Sequence, residues 1–276
     1  MSFGRNLQMH FRNQPEYNHL LATLPTADFE RVFPHLELVT LELGQVMAES
    51  GQKISHAYFP TTAIISMMHT MENGDSAEIA VVGRNGVVGI SLFLAGGKTS
   101  SSTVVQNAGL AYRLSTSHLS AEFDMHAAMM RTLLRYTQAL IAQMTQTAVC
   151  SLHHRLEQQL CRWLLVRVDL APADSLTATH EVIGNMLGVR REGVTGEASK
   201  LQAAGVIKYK RGRMEIVDRA GLERLACECF GVVKDEYERL LPRIVDDMHK
   251  PTHPPDSNQV TNIKTSEIHS PRRAHG

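Results

Sequence analysis

The sequence predicts an α+β protein: an antiparallel β roll of jelly-roll type, then a long helix, then two short helices and a basic β hairpin. Three observations carry this. Between residues 37 and 115, short β-rich runs alternate with glycine turns. From His126 to His154 there is neither glycine nor proline, and apolar residues recur at helical spacing. From Leu176 to Val217 the chain reads as capped helix, glycine turn, amphipathic helix and alternating strand pair.

A chain of 276 residues with 43% apolar composition has material for about two folded domains. It has no apolar run of about 18 residues, so no membrane partner is expected. Met1 to Leu21 has no apolar core of a signal peptide, and four irregularly spaced cysteines make no secreted disulfide framework. A cytoplasmic location is the expectation. The net charge is zero, which argues against indiscriminate polyanion binding but allows a focused basic face.

Residues 1–23 are polar and read as a flexible lead-in. A β-roll sensor domain is expected over 24–122. It opens on a short helix from Pro25 to Leu36, with Thr26 as N-cap and Phe29, Val32 and Phe33 on one side. Strands are expected at Leu38–Leu43, Tyr58–Phe59, Ala63–Met68, Glu78–Val82, Val87–Gly89, Thr103–Val105 and Ala111–Leu114, separated by turns such as Asn73-Gly74-Asp75. So many short strands suit a closed antiparallel roll that can hold a ligand inside.

Residues 123–152 are expected to form a dimerisation helix. Leu133, Leu140 and Thr147, with Met129, Thr137 and Met144, make a heptad-like seam. At 1.5 Å per residue the helix is about 40 Å long, so a second copy of the chain is its natural partner. His153-His154 is the expected hinge, and a further domain is expected over 153–242. Arg155 to Asp169 opens it as an amphipathic helix with Leu156, Leu160, Trp163, Leu164 and Val168 inward. Residues 243–276 are rich in Pro, His, Ser and Asn and are expected to be disordered.

In the Leu176–Val217 stretch, Thr179 caps the first helix, Glu181 sits in its first turn and Gly188 supplies the turn. The second helix is expected from Arg190 to Ala204, with Gly205 as its stop. Val194, Ala198 and Leu201 face inward; Arg191, Glu192, Thr195 and Ser199 face out. Ile207 and Tyr209 then alternate with Lys208 and Lys210, Arg211-Gly212 turns the chain, and Met214 and Ile216 return the apolar side. This is a winged helix-turn-helix. Between Met186 and Arg213 there are seven Lys or Arg against two Glu, a local net of +5. A neutral chain with its positive charge concentrated here suits a reader of double-stranded DNA. Arg191, Glu192 and Thr195 are the candidates for base edges. Arg190, Ser199, Lys200, Lys208, Lys210, Arg211 and Arg213 are the candidates for phosphates.

At LGVRREGVTGEASKLQAAGVI the chain resembles the Crp/Fnr transcription regulators, and the likeness extends from about Leu24 to Pro242. The resemblance implies a cyclic-nucleotide-binding β roll, a homodimer helix and base reading by the Arg191–Glu192 pair. An Arg fork suits guanine O6/N7 and a Glu accepts from the cytosine amino group. A third base-reading position falls near Gly196, which cannot make that contact. The resemblance places an effector pocket at Gly89, Ile90, Lys98, Ser100, Ser101 and Ser102. Members that bind cyclic AMP carry a Glu for the ribose hydroxyl and an Arg for the phosphate. Here the Glu position is Ile90, and Lys98 to Ser102 contains no Arg. Ile accepts no hydrogen bond and Ser carries no charge, so cyclic AMP is disfavoured and the effector is unknown.

No cofactor or metal is expected. Cys227 and Cys229 are two apart on an expected helix and would point to different faces, Cys150 and Cys161 are distant in sequence, and all four read as small buried side chains. No hydrolase, Walker or zincin motif is present, so an enzyme is not expected. RNA polymerase is a further partner if the chain activates transcription, but the sequence places no surface for it. The alternatives are a cyclic-nucleotide-responsive regulator and a β-roll sensor that signals through protein contacts.

Overall fold

The computed structural model describes residues 14–94, 96–171 and 175–242; the expected tail and the first part of the expected lead-in lie outside them. The lead-in is corrected from residue 14 onward. Asn18 is fully buried and accepts from the Leu20 and Leu21 amides at 3.1 and 3.3 Å. Its own amide donates to the Pro60 and Gly86 carbonyls, each at 2.9 Å. That one capping side chain starts helix α1, His19–Ala22, and lets Leu20 and Leu21 enter the core. Composition alone hid it. Helix α2 runs Thr26–Val32 with Pro25, not Thr26, at the N-cap. A tight turn of helix at Phe33–His35 follows and leaves Phe33 exposed, off the packed side.

The β-rich runs pair as two antiparallel sheets. Strands β1 (Glu37–Leu41), β2 (Val46–Ala48), β3 (His56–Pro60), β4 (Ile64–Thr70), β5 (Ser76–Val82), β6 (Ser102–Asn107) and β7 (Gly109–Ser115) adopt the orders β1-β7-β3 and β2-β6-β4-β5. Between β4 and β5, Asn73 accepts from the Asp75 amide at 3.1 Å, and Gly74 takes the positive φ of 88° that the turn needs. Val87–Gly89 is not a strand: Val88 makes a single bridge to Tyr58. Leu41, Ala63, Ile65, Val82, Val88, Val105 and Ala111 form one buried cluster of the roll.

Helices α3 (Ser91–Leu94), α4 (Thr116–Met125), α5 (Ala127–His153) and α6 (Leu156–Leu170) follow. The seam predicted on α5 is corrected. Met129, Leu133, Thr137 and Leu140 are buried within the same chain, where the three apolar ones pack with Ala57, Phe59 and Leu114 of the roll; Met144 and Thr147 are half-buried. A heptad pattern records one packed face without saying whether the partner is a second chain or the chain's own core. The large apolar residues exposed on α5 are Leu134, Ile141, Val149 and Leu152, and Ala127 is exposed too. Ala148 is exposed as well.

His154 is extended (φ −102°, ψ 151°) and separates α5 from α6. Then come β8 (Ser175–Thr177), α7 (His180–Leu187), α8 (Arg191–Ala203), β9 (Ile207–Lys210), β10 (Arg213–Ile216), α9 (Arg219–Leu225) and α10 (Cys229–Leu240). The helix expected to carry both Cys227 and Cys229 is broken: Ala226 is extended (φ −70°, ψ 159°), and α10 starts afresh at Cys229. The break turns both Cys227 and Cys229 inward against Cys150, which corrects the expectation of opposite faces.

One core crosses the molecule. Ile64, Met68 and Val81 of β4 and β5 share a buried cluster with Leu160, Trp163 and Leu164 of α6 and with Ile183, Val194 and Leu201 of α7 and α8. Within it, buried Arg167 of α6 pairs with Glu78 of β5 and donates to Ser66 Oγ at 3.4 Å. Its guanidinium lies 3.7 Å from the centre of the Trp163 ring. Burial pulls the Arg167 guanidinium below its ordinary range while Glu78 holds it up.

Candidate nucleic-acid interface

Local chemistry builds this site. Thr179 Oγ1 accepts from the Val182 amide at 3.2 Å and starts α7. Gly188 ends it in the left-handed region (φ 67°, ψ 32°), where a Cβ would be strained. Arg190 is the N-cap of α8, so Arg191 and Glu192 are its first two residues. Val194, Ala198 and Leu201 are buried. Arg190, Arg191, Glu192, Thr195, Ser199 and Lys200 are exposed. The inner and outer faces are thus those the helical period predicts.

The hairpin turns through Arg211 (φ 51°) and Gly212 (φ 79°), two successive positive φ values that match the right-handed twist of the flanking strands. Lys208, Lys210, Arg211 and Arg213 are exposed. β8, which sequence periodicity missed, pairs with β10 and makes the sheet three-stranded in the order β8-β10-β9. Such a pairing is non-local and leaves no mark in three residues.

Several side chains on this face already have partners. Thr195 Oγ1 donates to the Arg191 carbonyl at 3.0 Å and meets His180 Nδ1 at 2.9 Å. Ser199 Oγ donates to the Thr195 carbonyl at 2.8 Å, and Lys200 pairs with Glu197 at 2.9 Å. His180, unnoticed in the sequence, stacks on Tyr209 with ring centres 4.2 Å apart. Burial, then the nearby Arg191 charge, pushes its imidazole below the ordinary value, so it is neutral at pH 7. Gln202 was also missed: its Oε1 accepts from the Tyr209 amide at 2.8 Å and fastens the wing to α8. These contacts tie helix and wing into one face with exposed guanidinium and ammonium groups. Gly196 faces open space, since a Cβ built there meets nothing within 4 Å.

The residues of the expected effector pocket lie on the segment from Gly89 to β6. Gly89 has φ 113°, and a Cβ there would come 3.3 Å from Ala57 Cα. Ile90 is half-buried and packs against the apolar core rather than presenting an acceptor. Lys98 is exposed and bridges to Lys53 through the backbone. Ser102 Oγ donates to the Met68 carbonyl at 3.4 Å. The carbonyls of Ser100 and Ser101 accept from Ser50 Oγ and Thr99 Oγ1, at 3.0 and 2.9 Å. The loop is closed by its own hydrogen bonds.

A family model described as a cyclic nucleotide-binding domain matches residues 38–126, and one described as a Crp-like helix-turn-helix domain matches residues 158–225. Together they take in more than half of the chain.

The chain belongs to the Crp/Fnr family of transcription regulators.

Solved structures agree on the fold of this Crp/Fnr regulator. A putative transcriptional regulator of the crp/fnr family from Eubacterium rectale is 16% identical over 76% of this chain and 98% of its own, with a TM-score of 0.60. FixK2 from Bradyrhizobium japonicum is 15% identical over 70% of this chain and 98% of its own, with a TM-score of 0.59. A CRP/FNR-family transcriptional regulator from Thermus thermophilus is 20% identical over 69% of this chain and 98% of its own, with a TM-score of 0.57. The comparison with curated proteins gave no match. Among the described residues no helix is long and apolar enough to cross a membrane.

Proposed function

We propose that this Crp/Fnr regulator acts in the cytoplasm as a homodimer on a two-fold symmetric duplex site and responds to an effector other than cyclic AMP. The observation that carries the DNA reading is the exposed Arg191–Glu192 pair at the start of α8, flanked by the cationic wing. Arg191 and Glu192 read base edges; Thr195, the third base-edge candidate, instead braces the helix turn beneath them, its hydroxyl being held by the Arg191 carbonyl and His180. Arg190, Ser199, Lys200, Lys208, Lys210, Arg211 and Arg213 meet phosphates.

Support for the dimer comes from the face of α5 left uncovered by its own chain. Leu134, Ile141 and Ala148 recur every seven residues and are exposed, and Leu152 extends the row. A second copy covers that row, and two recognition helices about 34 Å apart match one turn of duplex. The effector reading rests on Ile90, which offers no acceptor for a ribose hydroxyl, and on the lack of an Arg between Lys98 and Ser102.

Selection of sites from a random duplex library by the purified protein, followed by salt titration, tests the proposal. A two-fold symmetric motif with steep salt dependence is expected. Ile141→Asp is expected to keep the native circular dichroism, sediment as a monomer and lose the symmetric site. Salt-insensitive association, or a single asymmetric half-site bound equally by Ile141→Asp, would contradict it. Cyclic AMP is expected to leave the melting temperature unchanged.

A further inference from the structure

Four potential ligands converge from two parts of the chain that are far apart in sequence. Cys150 lies in the last turn of α5, and His154 caps that helix one turn later. Cys227 lies in the link between α9 and α10, and Cys229 is the first residue of α10. All four ligand atoms lie within 4.8 Å of one another. Cys150 Sγ is 3.5 Å from Cys227 Sγ, and Cys229 Sγ is 3.4 Å from His154 Nδ1. We propose that Cys150, His154, Cys227 and Cys229 form a structural zinc site that staples the hinge after α5 to the end of the DNA-binding domain.

The distances fit the ion. Metal–sulfur bonds of about 2.3 Å and a metal–nitrogen bond of about 2.0 Å set tetrahedral edges of about 3.8 Å between sulfurs and about 3.5 Å between sulfur and nitrogen. The two separations above are close to those edges before any ion draws the ligands in. A cluster of iron and sulfide would need the thiolates farther apart. A disulfide needs sulfurs about 2.05 Å apart, well inside the observed separation.

The surroundings fit as well. His154 Nε2 lies 3.2 Å from Glu228 Oε1, so the carboxylate takes the Nε2–H and leaves the Nδ1 lone pair facing the sulfurs. A carboxylate behind a ligating imidazole is the usual arrangement at such centres. Gln146 Nε2 donates to Cys229 Sγ at 3.0 Å, an outer hydrogen bond that orients the sulfur. The three cysteines are at most 4% exposed, which closes the site to substrate and marks it as structural. On binding, each thiol releases its proton to solvent as its sulfur takes the ion, and the imidazole binds neutral. The break at Ala226, which no glycine or proline explains, is what brings Cys227 and Cys229 to the same point.

The test is metal analysis of the full-length protein purified under reducing conditions, with cobalt substitution as a second reading. About one zinc per chain is expected, and Co(II) should give the visible ligand-field bands of a tetrahedral thiolate site. Cys229→Ser and the pair Cys227→Ser/Cys229→Ser should each lose most of the metal; Cys161→Ser, outside the cluster, should keep it. If the variants fail to fold, zinc and cobalt titration of metal-stripped wild-type protein decides the matter. Protein that binds neither ion more tightly than about micromolar overturns the proposal. So does iron with stoichiometric sulfide, a Cys150–Cys227 disulfide in the freshly reduced protein, or metal retained by the double variant.

Discussion

Arg191→Ala will lose about 1–3 kcal/mol at the preferred duplex and relax one base position, whereas Lys210→Ala will weaken all duplexes alike. The contrast follows from where the two cations stand. Arg191 is at the first turn of α8, exposed and next to Glu192, at the end of the helix that can enter a groove. Its forked donors match guanine O6 and N7, and the wrong base leaves them unpaired. Lys210 is at the end of β9 beside the hairpin turn and offers a point charge, which a phosphate accepts whatever the sequence. Lys210→Ala should therefore lower the salt slope by about one while the selected motif stays the same. Paired binding titrations on the best site and its single-base variants check this. Equal, sequence-independent losses from both substitutions would remove the assignment of roles.

Glu78→Ala should destabilise the fold by about 3–5 kcal/mol, because it strands the Arg167 guanidinium in the core. Both side chains are nearly inaccessible, at 4% for Arg167 and 9% for Glu78. Ser66 and the face of Trp163 remain beside the cation but carry no formal charge to balance it. Replacing both partners, as in Glu78→Leu with Arg167→Met, should recover much of the loss, since no uncompensated charge is then left. Denaturant midpoints at constant slope measure the difference. A single variant that loses less than about 1 kcal/mol, with the double variant no better, would mean that water reaches the pair.

The parts of the site legible in the sequence are the local ones. Thr179, Gly188 and Arg211-Gly212 act on backbone within a few residues of themselves, so their types announce the cap, the turn and the hairpin. The inward set Val194, Ala198 and Leu201 is a matter of period alone. What stayed hidden depends on partners far along the chain. β8 exists because β10 lies beside it, and Asn18 matters because the Pro60 and Gly86 carbonyls need a donor. The α5 heptad was visible, but its covering surface came from the roll and from Val233, Tyr237 and Leu241 rather than a second copy. His180 has no motif; its place is set by Thr195 on one helix and Tyr209 on a strand.

The shared core also bears on how this protein can be taken apart. Sequence invites a cut near residue 153, with sensor and DNA-binding halves treated as exchangeable modules. Such a cut would uncover Ile64, Met68 and Val81 on one piece and Leu160, Trp163 and Leu164 on the other, and would separate Glu78 from Arg167. Each fragment would carry a raw apolar face with a charge set in it that has lost its counterion. A chimera made by grafting this reader onto another sensor would need the β4–β5 face grafted with it, so inheritance in this molecule follows the packing rather than the order of the chain.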